Sequence, residues 1–155
     1  MSNVEIGQQV PDFEVASTSD KTFKLSDYRG KNVLIYFYPK DNTPGCTLEG
    51  QNFRDNIDKF EAHNTVIFGV SKDSLRAHEN FKAKQCFPFE LLSDSDEAVC
   101  QLFGVMQLKK NYGREYMGIV RSTFLIDTEG KLVREWRNVK VKQHLDEVLE
   151  ALNEL

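Results

Sequence analysis

No stretch of this sequence is apolar for long enough to cross a membrane. The longest strongly apolar run covers residues 33–38, whereas a membrane helix needs about 20 such residues. Residues 1–9 are polar and lack the apolar core of an export signal. An excess of positive charge is missing too. The net charge is −4 and the pI is near 5.4, which argues against general attraction to nucleic acid or anionic membrane. These absences lead us to expect a cytoplasmic protein with no nucleic-acid or membrane partner. The one basic pair, Lys109-Lys110, reads as a solvated loop.

Cysteine is scarce. There are three, Cys46, Cys86 and Cys100, and no two form a CxxC pair. An odd count at wide spacing is not the framework of a disulfide-stapled secreted domain. The position three after Cys46 is Glu49, which disfavours a dithiol reductase. His63, His78 and His144 are too dispersed for a metal-ligand spacing. Each reads as a surface or helix-face residue, and no metal is expected. No repeat, low-complexity tract or Pro/Gly/Ser-rich linker divides the chain, so residues 1–155 read as a single domain. A domain of that length hides about 68–70% of the surface its unfolded chain exposes, so it needs no staple to fold.

What is present alternates between strand and helix. Residues 33–38 are β-branched and aromatic, the mark of a buried central strand. Two prolines and a glycine in residues 39–45 end that strand in a turn. From Cys46, the residues Leu48, Phe53, Ile57 and Phe60 recur at helical spacing and predict one helix to about residue 62. A second strand at 65–70 and a helix at 74–84 follow. Asp94-Ser95-Asp96 signals the start of a short helix at 97–103, with Cys100 as a core residue. A strand at 122–127 turns at 128–130 into a strand at 132–136, where Trp136 reads as a packing residue. A helix at 142–152 closes the chain, and residues 13–25 supply an N-terminal β-hairpin. This order is that of a thioredoxin-like α/β fold, with a central mixed β-sheet flanked by helices.

Cys46 falls where the turn after the first strand meets the first turn of a helix. Helix amino termini carry unpaired N–H groups and favour an anion, and the thiolate is the nucleophilic form of cysteine. Lowering a thiol from about 8.5 to about 6 takes roughly 3.4 kcal/mol of preference for the anion. The helix dipole supplies only about 0.3–1 kcal/mol, or ~2 when partly buried. A cation and direct hydrogen bonds must therefore converge on the sulfur. Arg121, at the start of the 122–127 strand, is the candidate cation if that strand lies beside 33–38. Thr43 can hydrogen-bond the thiolate or its substrate, or can act simply as a helix cap. Pro39 and Pro44 stiffen the loop, and Pro39 helps to shield the sulfur.

Pro39, Thr43 and Cys46 reproduce a Pro-x-x-x-Thr-x-x-Cys signature, and Arg121-Ser122-Thr123-Phe124 resembles an Arg-containing strand. Together with PKDNTPGCTLEG, VSKDS, FELLSD and GIVRSTFLID, these segments resemble the peroxiredoxins, and most nearly their bacterioferritin comigratory protein or PrxQ subgroup. The resemblance runs over nearly the whole chain. It implies a thiol peroxidase that needs no cofactor, with Cys46 as nucleophile and Pro39, Thr43 and Arg121 completing the peroxide site. Thioredoxin or a similar dithiol is the implied electron donor, and a monomer the implied state. Glu49 then either orients Arg121 or is an exposed helix charge. A redox sensor or holdase on the same fold is the rival reading.

The resemblance says less about resolution of the oxidised cysteine. A resolving cysteine five positions after Cys46 is excluded, because Gln51 stands there. The other arrangement in the subgroup corresponds to Lys82, with Cys86 four residues further, on the same face one helical turn later. Either Cys86 resolves Cys46, or an external thiol completes a single-cysteine cycle.

Overall fold

A computed structural model describes residues 3–155; Met1 and Ser2, which begin the polar amino-terminal stretch, lie outside the described residues. The central strand is β3 (Asn32–Phe37), buried along its whole length. It runs parallel to β4 (Thr65–Ser71) and antiparallel to β8 (Ser122–Ile126). Beyond β4 the sheet continues through β5 (Glu90–Ser93) to the hairpin of β1 (Glu14–Ser17) and β2 (Lys21–Lys24). Beyond β8 it ends in β9 (Leu132–Arg137). The order β2-β1-β5-β4-β3-β8-β9 makes a mixed seven-stranded sheet, the thioredoxin-like arrangement.

The strand pleat sends alternate residues of β3 into two cores. Val33, Ile35 and Phe37 pack with Val99, Cys100 and Phe103 of α4 (Ala98–Phe103). Leu34, Tyr36 and Tyr38 face the other way, against Phe53, Phe60, Phe81, Val148 and Leu152. Those side chains belong to α1 (Pro44–Asp55), α2 (Ile57–Ala62), α3 (Leu75–Gln85) and α5 (Val141–Asn153). Cys46 lies in this second core. Among the described residues no helix is long and apolar enough to cross a membrane.

The structure departs from the sequence reading in three places. The single helix expected to residue 62 is two, broken at Asn56, whose φ of −122° leaves the helical region. Its side-chain amide donates to the Asn52 carbonyl at 2.9 Å, a local bond that competes with the helix. A second difference is β5, which is only four residues long and flanked by Pro88, too short for any periodicity to show. The third is a separate hairpin, β6 (Met106–Asn111) with β7 (Arg114–Ile119). Lys109 and Lys110 therefore sit in a strand, not a solvated loop. The hairpin turns on Tyr112 and Gly113, both at positive φ (53° and 76°), as a two-residue turn requires.

Candidate active site

Register decides what meets at the end of β3. The last pair between β3 and β8 is Phe37 with Ser122. Arg121 thus leaves the sheet at the same end as the loop of residues 39–43. That loop feeds α1, in which Thr43 occupies the N-cap position and Pro44 opens the first turn. The first bond of the helix runs from the Thr47 N–H to the Thr43 carbonyl at 2.9 Å. The Gly45 and Cys46 N–H groups precede it and belong to the unpaired set that favours an anion.

The Arg121 guanidinium bridges two groups on α1. Nη2 donates to Cys46 Sγ at 3.4 Å, and Nη1 donates to Glu49 Oε1 at 2.7 Å. Cys46 and Glu49 are each only 2% exposed, so Glu49 is no surface charge. Burial raises the Glu49 carboxyl from 4.5 to about 7, against the opposing pull of Arg121. Its Oε2 has no hydrogen-bond partner among the described residues. Burial works against the charge of Arg121, but Glu49 and Cys46 together raise its pKa above the usual value. The sulfur is enclosed among apolar side chains, yet a cation points at it.

Gly45 makes this approach possible. A Cβ there would lie 3.1 Å from Arg121 Nη2, so any larger residue pushes on the guanidinium. Thr43 is one turn before Cys46, and its hydroxyl donates to the Lys40 carbonyl at 2.8 Å rather than capping the helix. With its proton so engaged, Thr43 Oγ1 offers lone pairs to an incoming O–H. Pro39 is exposed on the loop. Lys109, missed from the sequence, reaches the same region. It lies across Gly118, where a Cβ would be 2.9 Å from its Cδ, and donates to the Ile119 carbonyl at 2.6 Å. Burial lowers its pKa, as does the charge of Arg121, while Cys46 pulls the other way.

The remaining cysteines differ sharply. Cys86 is exposed and ends α3 in the left-handed conformation, φ 55° and ψ 43°. The turn before it is tied to α1: Arg54 Nη1 donates to the Gln85 carbonyl at 2.7 Å, and Gln51 Nε2 to Gln85 Oε1 at 2.9 Å. The Phe87 ring sits directly on Gly50 and leaves no room for a Cβ there. The structure does not join Cys86 to Cys46; all three cysteines are free thiols. Cys100 is wholly buried, and burial, together with a bond to Asp94, pushes its thiol far above the ordinary range.

Of the three histidines, His78 and His144 lie on inward helix faces and His63 is partly exposed. His78 is wholly buried and His144 is 2% exposed. The sequence hid this because their partners are remote: Asp41 for His78, and Thr123 Oγ1, 2.7 Å from His144 Nε2. Ligand atoms of Asp41, Asp73 and His78 lie within 4.8 Å of one another. Their oxygens, however, already accept from the Tyr38 and Ser71 hydroxyls and the Asp41 N–H. The trio is a hydrogen-bond network rather than an open donor set.

A thioredoxin-like fold that holds a cysteine at a helix start beneath an arginine defines a thiol-dependent peroxidase of the peroxiredoxin class. The chain belongs to the AhpC/TSA family, whose model matches residues 6–135. It is 53% identical to peroxiredoxin Bcp of Bacillus subtilis over 152 residues, 98% of this chain and 97% of that protein. Against peroxiredoxin Bcp of Escherichia coli the identity is 38%, over 99% of both chains. Among solved structures, the bacterioferritin comigratory protein of Xanthomonas campestris matches with a TM-score of 0.90 and 43% identity. That match covers 99% of this chain and 98% of the other. That protein was described for alkyl peroxide reduction from trapped intermediate and ligand complexes. A cysteine-to-serine mutant of Xylella fastidiosa PrxQ matches at TM-score 0.93 and 40% identity, with 99% and 98% covered.

Proposed function

We propose that Cys46 is the peroxidatic nucleophile of this peroxidase, acting on hydrogen peroxide and organic hydroperoxides. The observation that carries this is the Arg121 fork, one arm on the Cys46 sulfur and the other on buried Glu49. The Cys46 thiolate attacks the terminal peroxide oxygen; an S–O bond forms, the O–O bond breaks, and the leaving oxygen takes a proton as water or alcohol. Cys46 is left as sulfenic acid. Thr43 Oγ1 accepts from the substrate O–H, while Arg121 and the Cys46 N–H stabilise charge moving along the S–O–O axis. Glu49 holds the guanidinium in place, and Pro39 screens the loop side of the sulfur. No cofactor takes part.

Cys86 then attacks the sulfenic sulfur, releasing water and closing a disulfide, which thioredoxin or a similar dithiol reduces. Its exposure, its strained helix end and its seat against α1 support this over a single-cysteine cycle. Disulfide geometry needs Cα atoms about 4.4–6.8 Å apart, so the first turn of α1 and the last of α3 unwind. The enzyme acts as a monomer, one domain over residues 1–155, in the cytoplasm.

Peroxide consumption coupled to thioredoxin and its reductase tests the scheme. Turnover is expected to vanish in Cys46→Ser; its survival overturns the assignment. Non-reducing peptide mapping after peroxide treatment is expected to yield a Cys46–Cys86 linkage in preference to Cys46–Cys100. Recovery of only sulfenic or sulfinic Cys46 overturns the resolving role.

A further inference from the structure

The loop that delivers Thr43 and Cys46 is fastened at Asp41, and the fastening reaches α3. Asp41 is 6% exposed and His78 is fully buried. Asp41 Oδ2 lies 2.7 Å from His78 Nδ1, and the Leu92 carbonyl lies 2.9 Å from His78 Nε2. A carbonyl can only accept, so Nε2 carries a proton. A second proton lies between Nδ1 and the Asp41 carboxyl, whose Oδ1 also accepts from the Tyr38 hydroxyl at 2.7 Å. Ring and carboxyl form a hydrogen-bonded pair, both withdrawn from water. The Asp41 N–H is fixed as well, donating to Asp73 Oδ2 at 2.9 Å.

A buried polar pair is a poor source of stability, because desolvation offsets most of the attraction; its better-attested use is to specify one arrangement over others. The arrangement specified here is that of residues 39–43. The loop includes Asn42 at a φ of 63°, in the left-handed region that costs a non-glycine residue energy. Within the loop the Thr43 hydroxyl also bonds the Lys40 carbonyl, but Asp41 is what ties that conformation to α3.

We propose that the Asp41–His78 pair is a positioning device for peroxide reduction, and that His78 is a positioning residue acting through the loop. It keeps Thr43 Oγ1 and the Cys46 N–H aligned with the sulfur, without touching substrate. The proposal rests on the Cys46 assignment above.

Two rates on the reduced full-length protein separate this role from simple stabilisation: oxidation of Cys46 by hydrogen peroxide, and its alkylation by iodoacetamide, read by peptide mass. Peroxide attack needs the aligned loop, whereas alkylation needs only an accessible thiolate. In His78→Gln the peroxide rate is expected to fall about 10–100-fold while alkylation falls by less than about two-fold. Nitrogen NMR of the wild-type ring is expected to show Nε2 protonated and both ring nitrogens hydrogen-bonded. Equal falls in the two rates, no fall in either, or an Nε2 without a proton overturns the proposal. If His78→Gln fails to fold, Tyr38→Phe keeps the Asp41–His78 pair and removes one donor. Its peroxide rate alone should drop about three-fold, and an unchanged rate overturns the proposal. A wild-type Cys46 that peroxide leaves untouched would instead sink the nucleophile assignment.

Discussion

Glu49 is the residue whose environment most changes its chemistry. The folded chain retains its proton up to about pH 7, whereas the ordinary carboxyl releases it near 4.5. Between those values the folded state binds more protons than the unfolded state. The stabilisation is therefore complete below 4.5 and is lost as pH rises through 7, a loss of about 1–3 kcal/mol. Denaturant midpoints across this window should show that slope in the wild type and a flatter one in Glu49→Gln. Arg121 invites a different substitution. One guanidinium serves two partners, and an ammonium cannot fork in that way. Arg121→Lys should lower the rate of peroxide attack about 10²–10³-fold, measured by rapid mixing with the reduced protein. Cys46, Thr43 and Arg121 were legible in the sequence because each borders an element whose end could be located. Asp41 with His78 was not, since the partners lie 37 positions apart and neither makes sense alone. Gly45 was hidden because its part is to have no side chain.

At the scale of elements, strands with continuous β-branched and aromatic residues were readable, as were helices with one apolar face. Breaks and turns were harder. Nothing in the spacing of Leu48, Phe53, Ile57 and Phe60 reveals that Asn56 turns its amide back on Asn52. A tyrosine at a left-handed position of a two-residue turn disguises the β6–β7 hairpin. Two predictions belong to the seam between α1 and α3. Gly50→Ala gains helix propensity, but its methyl would collide with Phe87. We expect a net loss of about 1–2 kcal/mol in thermal or denaturant unfolding. Cys86→Gly relieves a left-handed non-glycine helix end. It should leave stability unchanged or raise it by up to about 1 kcal/mol, while eliminating the proposed Cys46–Cys86 disulfide.

For the molecule as a whole, the sheet acts as a ruler. Cys46 and Arg121 are 75 residues apart, yet the antiparallel register of β3 and β8 brings their strand ends together. Chain order alone suggested that neighbourhood only on the condition that the two strands were adjacent, a condition the structure meets. The same rigidity localises any change on oxidation. Hydrogen exchange of the disulfide form should show protection lost at residues 44–50 and 82–87 and retained in β3, β4 and β8.

The ring of Phe87 rests on a bare stretch of α1, and the proposed Cys46–Cys86 disulfide would undo that seat. Oxidation would thus turn an interior aromatic outward, so that the spent enzyme differs in texture from the fresh one. An electron donor could then tell by touch which molecules need it and leave the reduced ones alone.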